Sequence, residues 1–103
     1  MKKFLDVSYN ITYSNDATKF LQGIPLKHAK TVEGKIKECL VENPKGRTHH
    51  CNIKPIEGTN PKKYRFHISM KYTLIYTIDE KNKSVFVSHA MGINQAHSKY
   101  GIV

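Results

Sequence analysis

The stretch from Lys62 to Ile93 reads KKYRFHISMKYTLIYTIDEKNKSVFVSHAMGI, and its alternation decides the fold. In an extended chain Tyr64, Phe66 and Ile68 share one face, while Lys63, Arg65, His67 and Ser69 share the other. YTLIYTID and SVFVSHA are apolar runs of strand length. The polar DEKNKS between them has the length of a hairpin connection. Consecutive strands joined by short turns predict an antiparallel meander.

Working toward the N-terminus, HHCNIKPIEG predicts a short strand running into a loop, limited by Pro55 and Gly58. The turn NPKGRT precedes it. From Leu26 to Asn43, Ala29, Val32, Ile36, Cys39 and Leu40 recur at spacings of three and four, which predicts an amphipathic helix ended by Asn43 and Pro44. A shorter helix is predicted before it. Ser14 or Asn15 serves as its N-cap, Asp16 lies in its first turn, and Ala17, Phe20, Leu21 and Ile24 follow at helical spacing before Pro25. The opening LDVSYNITYS alternates as a strand, with Leu5, Val7, Tyr9, Ile11 and Tyr13 on one face. The order β-α-α-β-β-β-β predicts the α+β class: an antiparallel sheet of four to five strands with a helix pair on one face. At 103 residues the chain is expected to be a single domain spanning 1–103.

Seventeen Lys and Arg against eight Asp and Glu give a net charge of +9, which favours an anionic partner, nucleic acid first. No apolar run approaches membrane-spanning length, and the N-terminal MKKFLDVSYN lacks an apolar signal core, so a soluble, cytoplasmic protein is expected. Cys39 and Cys51 form neither a disulfide framework nor a CxxC metal site and are expected to be reduced thiols.

Two features carry chemistry. Lys63, Arg65 and His67 stand about 7 Å apart on one strand face, as a row able to bind phosphate. In the C-terminal NQAHSKY, His97 and Tyr100 would share one face of a helical turn around Lys99, with Gly92 supplying the bend back toward the sheet. The trio His49, His50 and Cys51 suggests a metal only superficially, because neighbours on a strand point to opposite faces. No metal or other cofactor is expected. His28 reads as a helix-surface residue and His89 as a strand-end residue. No phosphate-binding glycine loop, paired carboxylates or Ser, His and Asp set is visible.

The order of elements and the Lys62–Ile93 stretch resemble the RelE and ParE superfamily of bacterial and archaeal toxins. The shared pattern is a tyrosine-led basic strand, the apolar YTLIY, the turn DEKNK, an apolar strand, a glycine and a C-terminal tyrosine. RelE-type toxins are ribosome-dependent endoribonucleases that cleave mRNA, and ParE-type relatives poison gyrase. The resemblance implies that Arg65 and His67 occupy the basic positions of the RelE catalytic strand and Tyr100 its C-terminal tyrosine. Thr73 and Asn94 stand where the family has arginines, and His97 matches the C-terminal histidine that some relatives use.

Metal-independent RNA cleavage needs a base for the 2′-hydroxyl, charge stabilisation at phosphorus and an acid for the leaving 5′-oxygen. The expected assignment is His67 and His97 for proton transfer, because histidine titrates nearest neutrality. Arg65, with Lys62, Lys63 and Lys99, would hold phosphate, and Tyr100 would stack on or orient a base or sugar. Lys27, Lys30, Lys35 and Lys37 would face ribosomal RNA. The implied partners are mRNA on the ribosome and a cognate antitoxin. Two alternatives stand beside this reading: a catalytically impaired RNA-binding protein, and a ParE-like inhibitor of a protein target such as gyrase.

Overall fold

The computed structural model describes residues 8–46 and 51–93. The strands are β1 (Asn10–Tyr13), β2 (Asn52–Ile56), β3 (Lys63–Ile68), β4 (Tyr72–Asp79) and β5 (Ser84–Gly92). Two helices, α1 (Asn15–Gly23) and α2 (Leu26–Lys35), lie between β1 and β2, and α2 continues into a π-helical turn over Ile36–Leu40. One sheet holds all five strands in the order β1-β5-β4-β3-β2. Strands β2 to β5 pair antiparallel, as the alternation implies, whereas β1 runs parallel to β5. The parallel pair follows from the two helices, which carry the chain across one face of the sheet between β1 and the meander.

The core lies between the helices and that face. Ala17, Val32, Ile36, Cys39 and Leu40 pack against Ile53, Phe66, Ile68, Leu74, Tyr76, Val85 and Val87. Ser14 is the N-cap of α1: its Oγ accepts from the Ala17 N–H at 3.0 Å and donates to the Ser88 carbonyl at 2.7 Å, fixing the helix start to β5. Gly46 lies in the helix-to-β2 connection at φ +70°. A Cβ there would stand 2.5 Å from the Ile53 Cβ, so both backbone conformation and space demand glycine. Tyr76 stacks on Tyr64 at 5.6 Å and donates its buried hydroxyl to the Pro44 carbonyl, tying β4 to the same connection. Burial pushes its ionisation far above the ordinary tyrosine range.

Two local features set the register of the meander. Ser69 and Met70 both have positive φ and the Lys71 N–H donates to the Ile68 carbonyl, closing the three-residue connection Ser69, Met70, Lys71 that pairs Ile68 with Tyr72 and His67 with Thr73. The second is a β-bulge. Ile75 pairs with His89 but Tyr76 pairs with Val87, so Ser88 is the extra residue. The alternation is thereby reset: Val85 and Val87 enter the helix-side core, while His89 and Met91 pass to the other face.

Cys39 and Cys51 are joined in a disulfide, contrary to the expectation of reduced thiols. The helical run ends beside the start of β2, which brings their Cα atoms to 5.8 Å within the core. Spacing along the chain carries no trace of this approach. Leu5, Val7, His49 and His50 lie outside the described residues. Among the described residues no helix is long and apolar enough to cross a membrane, and no group of His, Cys, Asp and Glu could hold a metal ion.

At the β4–β5 turn, Glu80 gathers three partners: Lys45 at 3.0 Å, Lys83 at 3.2 Å and the Tyr9 hydroxyl at 2.8 Å. The hydrogen bond from Lys45, then those from Tyr9 and Lys83, pull its carboxyl down to about 2. A carboxyl depressed on folding stabilises the protein above its unfolded value and loses that contribution as pH falls toward the folded one. The stability difference between wild type and Glu80→Gln, measured by urea unfolding, should therefore be constant near neutrality. It should shrink between about pH 5 and pH 2. Replacing Cys39 and Cys51 together by Ala should lower unfolding stability by about 2–4 kcal/mol, because the bridge closes a short loop in the unfolded chain. Equal urea midpoints for oxidised wild type and the double variant would contradict that account.

Candidate functional site

The face of the sheet turned away from the helices is built by register. Successive strand residues alternate, so burying Phe66 and Ile68 on the helix side sends Lys63, Arg65 and His67 to the other. Cross-strand pairing then sets two rows. One runs Lys54, Arg65, Ile75, His89 across β2, β3, β4 and β5, and the next runs Asn52, His67, Thr73, Met91. Ile75 and Met91 are buried and pack with Ile56, giving the face an apolar floor. Around that floor stand Lys54, Lys63, Arg65, His67 and His89. Arg65, His67 and His89 are half-buried, which strengthens their interactions with any anion placed among them.

Two imidazoles on this face are oriented by hydroxyl groups. Thr73 Oγ1 lies 2.7 Å from His67 Nδ1. Thr73 is fully buried, so its hydroxyl must find a partner within the protein, and His67 provides one. Ser88 Oγ lies 2.9 Å from His89 Nδ1 and donates its proton to the Ile75 carbonyl at 3.2 Å. Arg65 reaches Asn52 Oδ1 at 3.4 Å, a long contact that leaves most of its guanidinium donors available.

Arg65, His67 and Lys63 therefore share one face, as the sequence row implies. Lys62 precedes β3 in an exposed loop. His97, Lys99 and Tyr100 lie outside the described residues, as does Asn94. The helix lysines belong to the opposite layer of the molecule. Lys35 and Lys37 are drawn into ion pairs with Glu38 and Glu33, each at 3.8 Å, whereas Lys27 and Lys30 are exposed. His28 is more than a surface residue: its Nδ1 lies 2.7 Å from the Tyr72 hydroxyl, and the two rings meet edge-on. His89 is not a strand-end residue either. It sits within β5 and faces the basic row, because the bulge turns it there. No periodic signal in the sequence marks that turn.

A meander with one parallel strand added at β5, two helices on one face and a basic strand on the other define the RelE-like toxin fold. Solved structures carry the same arrangement. The archaeal RelE–RelB complex from Pyrococcus horikoshii superimposes with a TM-score of 0.69 at 22% identity, covering 82% of this chain and 94% of that one. The isolated Escherichia coli RelE toxin gives a TM-score of 0.65 at 20% identity, over 92% of this chain and 100% of that one. The RelBE2 toxin–antitoxin complex of Mycobacterium tuberculosis gives 0.64 at 16% identity, over 82% and 98%. No family model matches the sequence, and comparison with curated proteins gives no match.

If Thr73 orients His67, Thr73→Val should destabilise the protein by about 1–3 kcal/mol, because a partner is withdrawn from a half-buried ring nitrogen. Urea unfolding measures the loss. The NMR titration of His67 should move with it, and an unaltered titration would show that the hydroxyl does not govern the ring.

Proposed function

We propose that this chain is the toxin of a toxin–antitoxin pair and that it cleaves mRNA on the ribosome. The observation that carries this reading is the placement of Arg65 and His67, beside Lys63 and Lys54, on the open face of a RelE-like sheet. A metal-independent cleavage needs a cationic seat for the phosphate and a proton acceptor within reach of the 2′-hydroxyl. Arg65 offers paired donors to phosphate oxygens, and Lys63 and Lys54 add charge around it. His67, steadied by Thr73, is the proton acceptor. His97 and Tyr100 enter as the C-terminal donor and stacking residue that the family resemblance implies, with Lys62 and Lys99 as further phosphate contacts.

Lys27 and Lys30, exposed on the helix layer, supply a second basic surface suited to ribosomal RNA. Lys35 and Lys37, shared with glutamates, contribute less. Several of the structural neighbours are complexes of a toxin with its antitoxin, RelE with RelB. An antitoxin for this chain would be acidic or amphipathic, to match a net charge of +9. Such a protein would work in the cytoplasm, where ribosomes are.

Thr73 favours a second reading. A buried hydroxyl stands where the family resemblance implies an arginine, so a neutral group would replace one cation of the RelE set. A protein that binds RNA without cutting it would retain the basic rows and lose only the chemistry.

Translation of a defined mRNA with purified ribosomes, with 5′ ends mapped by primer extension, separates the two. Wild type should create new ends within ribosome-bound codons, and His67→Ala should slow their appearance by roughly 10²- to 10⁴-fold. Intact mRNA together with salt-dependent RNA binding would establish the binding-only reading instead.

A further inference from the structure

We propose that His89 is a catalytic residue of this site, the general acid that protonates the leaving 5′-oxygen opposite His67, in place of His97, the donor that the family resemblance implies. The inference rests on the nuclease reading above and adds a residue that the sequence pattern conceals.

Three observations carry it. The first is the bulge at Ser88. In an unbroken strand His89 would share the face of Val85 and Val87 and be buried under the helices. The extra residue turns it out beside Ile75, in the row that holds Arg65. Bulges commonly re-aim a side chain at a functional surface. The second is the hydrogen bonding of its ring. Ser88 Oγ has one proton and gives it to the Ile75 carbonyl, so it accepts from His89 Nδ1–H. That bond persists whether the ring is neutral or cationic, and it leaves Nε2 as the nitrogen that gains and loses the proton. The third is spacing. Strands β3 and β5 are separated only by β4, which places the His67 and His89 backbones about 12 Å apart on the diagonal of the sheet. Two imidazoles with one phosphate between them can span that distance, and Arg65 stands on the row beside it.

The charges around the two rings differ. Arg65 is two residues from His67 on the same face, and Lys54 faces Arg65 across β2. Among the described residues, no cation occupies a register position adjoining His89. In the reaction the 2′-oxygen bonds to phosphorus as its proton passes to His67. The bond from phosphorus to the 5′-oxygen breaks with its electron pair on that oxygen, which takes the proton from His89 Nε2. The products are a 2′,3′-cyclic phosphate and a 5′-hydroxyl. His67 ends protonated and His89 neutral, and exchange with water restores both.

The test compares wild type, His67→Ala, His89→Ala and His89→Asn on ribosome-bound mRNA. One substrate is ordinary mRNA. The other carries sulfur in place of the bridging 5′-oxygen at the cut site, and this leaving group departs without a proton. Both His89 variants should cut ordinary mRNA roughly 10²- to 10⁴-fold more slowly than wild type. On the sulfur substrate their deficit should fall below about tenfold, while His67→Ala stays slow on both. Near-UV circular dichroism checks that each variant is folded, and the asparagine, which can still reach Ser88, covers the case in which alanine does not fold. Cleavage of ordinary mRNA by His89→Asn within about threefold of wild type would overturn the proposal. So would a deficit that sulfur leaves unchanged. Failure of wild type itself to cleave would instead remove the nuclease reading on which the proposal stands.

Discussion

Everything in this molecule is organised around the desolvation of β4. Thr73, Leu74, Ile75 and Tyr76 follow one another along this central strand, and all four are at most 1% exposed. A strand buried on both faces cannot alternate between core and water, so each face needs its own complement. Leu74 and Tyr76 are met by the helices and by Phe66, Val85 and Val87. Ile75 is met by Met91 and Ile56, and Thr73 must have its hydroxyl satisfied. The orientation of His67 is in this sense a by-product of core formation. A polar group buried beneath a basic row fixes the ring that the row displays.

The same constraint explains why so much of the fold was legible and where legibility stopped. The alternation of KYRFHI assigned Arg65 and His67 to one face and Phe66 and Ile68 to the other because β3 has one wet and one dry side. The helical spacing of Ala29, Val32, Ile36, Cys39 and Leu40 was legible for the corresponding reason, a single apolar stripe. Local chemistry offered Ser14 or Asn15 as the N-cap, and Ser14 is the one used. Other features depend on contacts between distant parts of the chain. The pairing of β1 with β5 in parallel, the approach of Cys39 to Cys51, and the Tyr76 bond to Pro44 arise only once the layers have met. A bulge is a still subtler case. The run SVFVSHA reads as a regular strand, and nothing in it announces that Ser88 will be skipped, so His89 was placed at a strand end with no role.

Thr73 sets the physical character of the open face. An arginine, which the family resemblance implies at this position, would carry a fixed positive charge at any physiological pH. A hydroxyl bonded to an imidazole substitutes orientation for charge and leaves the proton inventory of the face to its histidines. Positive charge is still supplied from β2 and β3 by Lys54, Lys63 and Arg65, at the side of the apolar floor formed by Ile75 and Met91. The floor excludes water beneath any bound phosphate, which makes the remaining cations count for more.

The outer margins of the sheet are built to discourage pairing with another strand. Each end strand is poorly equipped to recruit another chain. β1 has only four residues, and β2 contains Pro55, which lacks an N–H, and the charged Lys54 beside it. Short length, proline and lysine are the means by which sheets discourage edge-to-edge growth. A buried, strongly apolar β4 would otherwise make this sheet a template for aggregation during folding. The consequence is that neither described edge of the sheet offers a long, flat apolar strand for a second copy to extend.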